Sequence, residues 1–166
     1  MNATTKPSSE PYAVLLLKRD HRIIDELFTE LGSAAPQQQA PLAQRISKLL
    51  AIHARVEERY LYPFVREVLG DDALVAAAER AHERQAKLLD EIGAVADGAR
   101  KKALLLELSE NVRAHVHEEE HTLLSRLLNA SSDLDSLARE LQNYKDILMQ
   151  EEGLHEDDEL NVRPAR

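Results

Sequence analysis

The stretch LLAIHARVEERYLYPFVREVL, residues 49–69, decides the fold of this chain. It contains His53 and Glu57, four residues apart within a helical pattern of apolar positions. Residues at this spacing project from the same face of a helix, one turn apart. We therefore expect a helix that directs an imidazole and a carboxylate toward one point inside the fold.

The same pattern recurs in VRAHVHEEEHTLLSRLL, residues 112–128, where His115 and Glu119 repeat the spacing. A single histidine on an apolar helical stripe precedes each pair by about thirty residues: His21 in the first half of the chain and His82 in the second. The chain is therefore a weak internal repeat of two helical hairpins, each with the same set of potential ligands.

The composition is typical of an all-α protein, with 5 Gly, 6 Pro, 4% aromatic residues and long stretches of Ala, Leu, Glu and Arg. Apolar residues recur at gaps of three and four from residue 11 to Gly32, from Pro41 to Gly70, from about residue 72 to 95, and again after the turn 96–99. These patterns predict four helices, each with one inward histidine, and Pro63 should kink or open the second of them.

At 166 residues the chain is the size of one domain. We predict a disordered N-terminal segment over residues 1–10, a four-helix bundle over 11–130, and a C-terminal helix with a mobile acidic tail over 131–166. The additional helix, from about Asp133 to Gln150, should pack outside the bundle.

The net charge of −9 disfavours nucleic acid and anionic membranes as partners, because both are negatively charged. The chain shows no secretory pattern at its N-terminus and no run of eighteen apolar residues, so we expect a soluble, cytoplasmic protein. With no cysteine, disulfides, thiolate nucleophiles and Cys-ligated metal sites are excluded. Any metal must be bound by nitrogen and oxygen.

The inward histidines and glutamates predict a metal site. Burying four imidazoles and two carboxylates is costly unless each finds a partner, and a shared cation would be a partner for all of them. A purely structural network of core histidines is the competing interpretation. Imidazole and carboxylate together suit iron, zinc or manganese. The predicted metal ligands are His21, His53, Glu57, His82, His115 and Glu119.

These donors could bind two metal ions. His21 and His53 would bind one ion, His82 and His115 would bind the other, and the two glutamates would bridge them. About one coordination position on each ion would then stay open for dioxygen, nitric oxide or peroxide.

The same residues, with the phrases DHRIIDELF and HARVEERYLYP, resemble the hemerythrin-like, or HHE cation-binding, domains over about residues 12–128. The resemblance implies an up-down-up-down four-helix bundle around a non-haem di-iron centre, with two carboxylate-bridged irons per chain. It does not specify a task, since the family includes oxygen carriers, iron and oxygen sensors, nitric-oxide-responsive proteins and peroxide-consuming proteins.

The chain departs from the oxygen carriers of that family in two places. They have HxxxH on the third helix, whereas Ala86 follows His82 here, so one ligand is missing unless Glu79, Gln85 or Asp25 replaces it. They also have HxxxxD on the fourth helix, a spacing that Glu120 occupies here; the internal repeat favours Glu119 over Glu120 as the bridge. Ala86 disfavours reversible oxygen storage and favours reaction with peroxide or ligand sensing.

Several neighbouring residues have weaker predicted roles. Asp25 could orient a ligand histidine, with Asp20 a poorer candidate. Tyr60 and Tyr62 could close the pocket or pack in the core. His117 and His121 form a solvated pair or a surface metal site. Glu58 lies off the ligand face, either at the surface or as a residue that supports a ligand.

Three functions remain open from the sequence. The first is a di-iron protein that binds or reacts with oxygen, nitric oxide or peroxide, as a peroxide-consuming enzyme if it is an enzyme, or that senses iron. The second is a non-enzymatic, metal-responsive module that signals to a protein partner, which the sequence does not identify. The third is a scaffold bundle with a zinc or empty site.

Overall fold

The computed structural model describes residues 10–130 and 133–155. Its helices are α1 (Tyr12–Ser33), α2 (Pro36–Val56), α3 (Tyr62–Leu69), α4 (Asp72–Ala94), α5 (Ala99–Glu118), α6 (Ser125–Ala130) and α7 (Leu134–Glu151). Two π-helical segments, π1 (Glu57–Leu61) and π2 (Glu119–Leu124), join α2 to α3 and α5 to α6. No strand occurs within the described residues, and the predicted all-α class is confirmed.

The four predicted helices correspond to α1, to α2 with α3, to α4, and to α5 with α6. Helix α1 packs on α2, α4 packs on α5, α3 packs on both α4 and α6, and α1 also contacts α5. These contacts enclose a shared core of aliphatic side chains, so the fold is a helical bundle. The up-down-up-down order of its helices stays a prediction.

The junction between α3 and α4 follows the sequence signals closely. Gly70 has a φ of 61°, a left-handed conformation that costs glycine little because it has no Cβ. Asp71 then caps α4 by accepting a hydrogen bond from the backbone N–H of Leu74 over 3.0 Å. This tight connection places α4 directly against α3.

The start of α2 differs from the sequence prediction. The helix begins at Pro36, and Pro41 lies inside it rather than at its first residue. Pro36 suits the first turn, where a backbone N–H has no helical partner. Pro41 removes one hydrogen bond to the carbonyl of Gln37, but both residues are exposed, so water can satisfy that oxygen.

Helix α7 is the predicted additional helix, and it packs against α1, α2 and π1. Its inner face is mostly aliphatic, with Leu137, Leu141 and Leu148 nearly inaccessible to solvent. Lys145 also lies on this face and is buried. The ring of Tyr144, the preceding residue, is only partly buried.

The segments predicted to be disordered or mobile lie almost entirely outside the described residues. They cover residues 1–9 and 156–166, which the structure does not describe. Residues 131 and 132, between α6 and α7, also lie outside the described part of the chain. Among the helices that the structure describes, none is long and apolar enough to cross a membrane.

Candidate metal centre

The six predicted donors form one cluster inside the bundle. All six are buried, with exposed fractions between 0% for Glu57 and 8% for His115. Helix α1 contributes His21, α4 contributes His82, and the two HxxxE pairs straddle the starts of π1 and π2. The structure thus brings together every residue that the sequence predicted as a ligand.

The first half of the cluster contains His21, His53 and Glu57. The Nε2 atoms of the two histidines are 3.1 Å apart. Oε1 of Glu57 lies 2.9 Å from Nε2 of His53 and 3.8 Å from Nε2 of His21. Three potential ligand atoms of these residues lie within 4.8 Å of one another, which is compatible with one shared metal ion.

The second half has the same arrangement around the other oxygen of Glu57. Oε2 of Glu57 lies 3.2 Å from Nε2 of His82, which is 3.1 Å from Nε2 of His115. Glu119 completes this half, with Oε2 3.1 Å from Nε2 of His115. Glu57 therefore lies between two histidine pairs, with one carboxylate oxygen near each.

Two outer carboxylates fix the orientation of the histidines that come from α1 and α4. Nδ1 of His21 donates to Oε1 of Glu120 over 2.8 Å, and Nδ1 of His82 donates to Oε1 of Glu58 over 3.0 Å. In a neutral imidazole, donation from Nδ1 leaves a lone pair on Nε2, which is the form that binds a metal. Both Nε2 atoms face the interior of the cluster.

The cluster therefore contains many acceptors and few donors. Within the described residues, Oε1 of Glu57 and both carboxylate oxygens of Glu119 are buried and make no hydrogen bond of good geometry, although Nε2 of His53 and Nε2 of His115 lie 2.9 and 3.1 Å from two of these oxygens. Unpaired buried carboxylate oxygens are costly, and a cation would satisfy them together with the imidazole lone pairs. The residues present thus fit a metal centre with nitrogen and oxygen ligands.

In the metal-free chain, the two glutamates of the cluster have pKa values that are shifted in opposite directions. Burial opposes ionisation of Glu57, but the neighbouring His53, His21 and His82 outweigh it and hold the pKa of Glu57 well below its usual value. Burial, reinforced by the charge of Glu57, raises the pKa of Glu119. The two glutamates therefore differ in proton affinity although they occupy equivalent positions in the repeat.

The pKa values of three histidines are raised, whereas burial alone would lower them. Burial opposes protonation of His21, but its contacts with Glu120 and Glu57 raise its pKa to about 9. For His53, burial is outweighed by Glu57 and Asp20, and its pKa lies well above the usual value. The pKa of His82 is also raised, against the effect of burial, chiefly by Glu57. Protons on these imidazoles thus balance the buried carboxylates in the metal-free chain.

Tyr62 closes one side of the cluster. The residue is fully buried, and its hydroxyl donates to Oε2 of Glu57 over 3.2 Å and lies 3.3 Å from Nε2 of His82. Its ring stacks on that of His82 with centroids 5.5 Å apart. Of the two tyrosines considered from the sequence, Tyr60 instead packs against Tyr144 of α7.

Several secondary predictions were wrong. Asp25 is exposed and accepts from Nε of Arg113 over 2.6 Å, so it neither orients a ligand histidine nor replaces a missing ligand. Asp20 is instead the buried acid of α1: its Oδ2 lies 3.6 Å from Nδ1 of His53, and its Oδ1 accepts from Lys145 over 2.6 Å. The sequence pattern ranked these two acids in the reverse order.

Neither Glu79 nor Gln85 replaces the metal ligand that is missing at Ala86. Ala86 itself is exposed. Glu79 forms an ion pair with Arg66 at 2.8 Å, outside the donor cluster. Gln85 is buried, but neither metal-ligand grouping of the described residues includes it. Glu119 rather than Glu120 lies in the buried cluster, which supports the choice made from the repeat.

Both π-helical segments begin at a donor glutamate, Glu57 in π1 and Glu119 in π2. In π1, the backbone N–H of Tyr62 bonds to the carbonyl of Glu57, five residues back. Pro63 favours this opening of the helix, because it has no N–H and crowds the preceding turn. The second segment has no proline, and the sequence analysis did not predict it. Each π-turn adds a residue and changes the helical register just after the glutamate.

A bundle with this buried cluster defines the class of protein as an all-helical, cation-binding one. In agreement, residues 13–127 match the family described as the hemerythrin HHE cation-binding domain. The chain belongs to this family, and it is a metal-binding protein of hemerythrin-like fold.

The chain also resembles a protein named DNA nickase from Nostoc sp. (strain PCC 7120 / SAG 25.82 / UTEX 2576). The two are 32% identical over 142 residues, which is 83% of this chain and 40% of that relative. The chain thus spans less than half the length of the relative it matches. No solved structure matches the chain.

Proposed function

We propose that the chain binds two iron ions in this cluster and that the centre binds or reacts with dioxygen, nitric oxide or peroxide, or senses iron. In this proposal His21 and His53 hold one ion and His82 and His115 the other. Glu57 and Glu119 bridge them. The observation that supports it best is the position of Glu57, whose two oxygens lie near separate histidine pairs.

The chemistry of the donors supports a hard or borderline metal. Four imidazoles and two carboxylates suit iron, zinc or manganese, and the cysteine-free sequence provides no thiolate. Iron is the metal that the family resemblance favours. When bound, a pair of iron ions would supply open coordination positions and exchange electrons with a small ligand.

The chain itself would orient the ligands and exclude water. Glu120 and Glu58 hold His21 and His82 with Nε2 facing inward. Tyr62 supplies the nearest buried hydroxyl, which could donate a hydrogen bond within the centre. Helix α4 has alanine, exposed, at position 86, where the oxygen carriers have a second histidine, so this helix contributes only His82. The missing ligand favours reaction with peroxide or ligand sensing over oxygen storage.

Metal analysis of protein purified anaerobically without added metal tests this proposal. We expect about two irons per chain in the wild type and a loss of most bound iron in a Glu57→Ala/Glu119→Ala variant. The matched control is Glu67→Ala/Glu110→Ala, which removes two exposed glutamates from α3 and α5. Zinc, or no metal, in the wild type would favour the scaffold alternative instead.

A peroxide titration of the iron-loaded protein addresses the reaction. If the centre consumes peroxide, peroxide loss should follow iron content across the wild type and the Glu57→Ala/Glu119→Ala variant. Peroxide loss that persists after complete removal of iron would contradict an iron-dependent reaction. A change in the optical spectrum with nitric oxide or dioxygen, without turnover, would favour sensing.

A further inference from the structure

A cavity of about 400 Å³ lies between α1 and α5 and reaches the candidate metal centre. His21, a predicted ligand, forms part of its wall. The other polar residues that line it include Asp25, Glu26, His117, Glu120 and His121. The cavity therefore joins the protein surface to the outer side of a ligand histidine.

Glu120 connects this cavity with the centre. Its side chain is 24% exposed, whereas that of His21 is 2% exposed, and the two residues are in contact through Oε1 and Nδ1. Glu120 thus presents one carboxylate both to the cavity and to the first histidine of the cluster. A cation that moves from the cavity toward the centre would meet this carboxylate before it meets the buried ligands.

His117 and His121 are a pair of possible metal ligands in the wall of the cavity. They lie one helical turn apart, both are exposed, and their rings stack with centroids 4.1 Å apart. Nδ1 of His121 donates to the backbone carbonyl of His117 over 2.8 Å, so its Nε2 remains available as an acceptor. Two histidines at positions i and i+4 of a helix are a common way to bind a transition metal.

The charges of the cavity are also suited to a cation. Asp25, Glu26 and Glu120 line it together with Arg22 and Arg113, and Arg113 already forms an ion pair with Asp25. With neutral histidines, the carboxylates therefore outnumber the guanidinium groups. The excess is small, so the histidines and Glu120 must supply most of the attraction.

The other half of the repeat lacks this arrangement. Aligning Glu57 with Glu119 places Arg55 and Arg59 at the positions of His117 and His121. Two arginines repel cations where two histidines would bind them. Glu58 contacts His82 as Glu120 contacts His21, but Arg55 lies one turn before Glu58 and Arg59 directly after it. The asymmetry singles out the side of the bundle between α1 and α5.

We propose that this cavity is the route by which metal ions reach the centre, with His117 and His121 as a capture site and Glu120 as the carboxylate that the ion meets next, on the Nδ1 side of His21. This inference rests on the proposed metal centre. It adds a transient metal site on the surface to the two buried ones.

Loading kinetics of the metal-free, full-length chain test the route. Cobalt(II), whose absorption spectrum reports its coordination, is mixed with the protein at limiting concentration to measure the loading rate. A separate titration with excess cobalt(II) measures the final number of bound ions. A His117→Ala/His121→Ala variant should load severalfold more slowly, because the arriving ion loses the two imidazoles that would bind it first. It should still bind the same final number of ions.

The matched control is Arg55→Ala/Arg59→Ala, at the equivalent positions of the other half, which should not slow loading. A His117→Lys/His121→Lys variant adds positive charge to the mouth and should slow loading further than the alanine variant. Equal loading rates for the wild type and both histidine variants would overturn the route. Failure of the wild type to bind two ions at equilibrium would overturn the metal centre itself, so the two failures are distinguishable.

Discussion

Nζ of Lys145 lies 2.6 Å from Oδ1 of Asp20, and both side chains are buried where α7 packs on α1. The other oxygen of Asp20 faces Nδ1 of His53 at 3.6 Å. Burial alone would raise the pKa of Asp20, but His53 and Lys145 hold it below the usual value. Helix α7 thus supplies a positive charge next to the acid that adjoins His53, a predicted ligand.

Replacement of Lys145 by methionine should strongly destabilise the chain, because it leaves the charge of Asp20 buried without its cation. We expect the free energy of unfolding in urea to fall by about 3–5 kcal/mol. A Lys48→Met variant is the control, since Lys48 pairs with Glu152 at the surface, where such pairs contribute about 0–1 kcal/mol.

The double variant Asp20→Asn/Lys145→Met removes both charges and should recover part of the loss. If the single variant at position 145 is no less stable than Lys48→Met, the buried pair is not a stabilising link between α7 and the bundle.

The metal-free chain should lose stability as the pH rises from 6.5 to 9.5. The pKa of His21 is about 9 in the folded chain and 6.5 in the unfolded chain, so its contribution is complete below pH 6.5 and disappears as the pH passes 9. The difference corresponds to about 3 kcal/mol. Urea unfolding at several pH values measures it, and His53 and His82 act in the same direction.

A His21→Gln variant is the comparison for this pH dependence. It lacks the titrating group, so its stability should change less over the same interval. A wild-type stability that is constant or rises between these pH values would contradict the protonated state inferred for the imidazoles.

The sequence predicted that these histidines and glutamates face inward, because the signal for it is local. His53 with Glu57, and His115 with Glu119, lie one turn apart on a single helix, and this spacing alone puts each pair on one face. The histidine at position 21 was found because it interrupts an apolar stripe. Helical periodicity identifies inward positions, and the donors occupy such positions.

Contacts between helices were harder to predict. Asp20 and Lys145 are 125 residues apart, and neither has a local pattern that identifies its partner. Lys145 does fall four residues after Leu141 on the stripe of α7, and a lysine there is the one signal that could have indicated a buried charge. The outer role of Glu120 was missed, and that of Glu58 was only one of two interpretations, although HxxxEE occurs in both halves and its repeated second glutamate was available as a clue.

Backbone irregularities were predicted only where proline marks them. Pro63 indicated an opening of the second helix, and π1 lies just before it. The π2 segment contains no proline or glycine, and its register change depends on how the glutamate fits between neighbouring helices. Single-helix propensity contains no information about that fit.

Removal of the hydroxyl of Tyr62 should destabilise the metal-free chain, because Glu57 would lose its one neutral hydrogen-bond donor among the contacts described here. Tyr62→Phe keeps the ring that stacks on His82, so packing is largely preserved. We expect a loss of about 1.5–3 kcal/mol in the free energy of unfolding, the usual contribution of a hydrogen bond to a charged group. Nε2 of His82 still lies 3.2 Å from the same oxygen, so the carboxylate keeps one partner.

Tyr60→Phe is the control for this change, since the ring of Tyr60 packs against Tyr144 outside the cluster. Its effect should be smaller. Equal losses for the two variants would mean that the hydroxyl of Tyr62 does not stabilise the Glu57 carboxylate.

The chain should neither bind nor cut DNA by itself at physiological salt, despite its similarity to a protein named DNA nickase. Its net charge of −9 opposes the approach of a phosphate backbone, and it spans 40% of that relative. Incubation of supercoiled plasmid with the metal-loaded chain, followed by agarose electrophoresis, measures nicking directly. The ultrafiltrate of the same sample controls for cleavage by released metal ions. Relaxed plasmid formed with the protein, absent with its ultrafiltrate and lost in the Glu57→Ala/Glu119→Ala variant, would contradict this prediction and assign a nucleic-acid reaction to the centre.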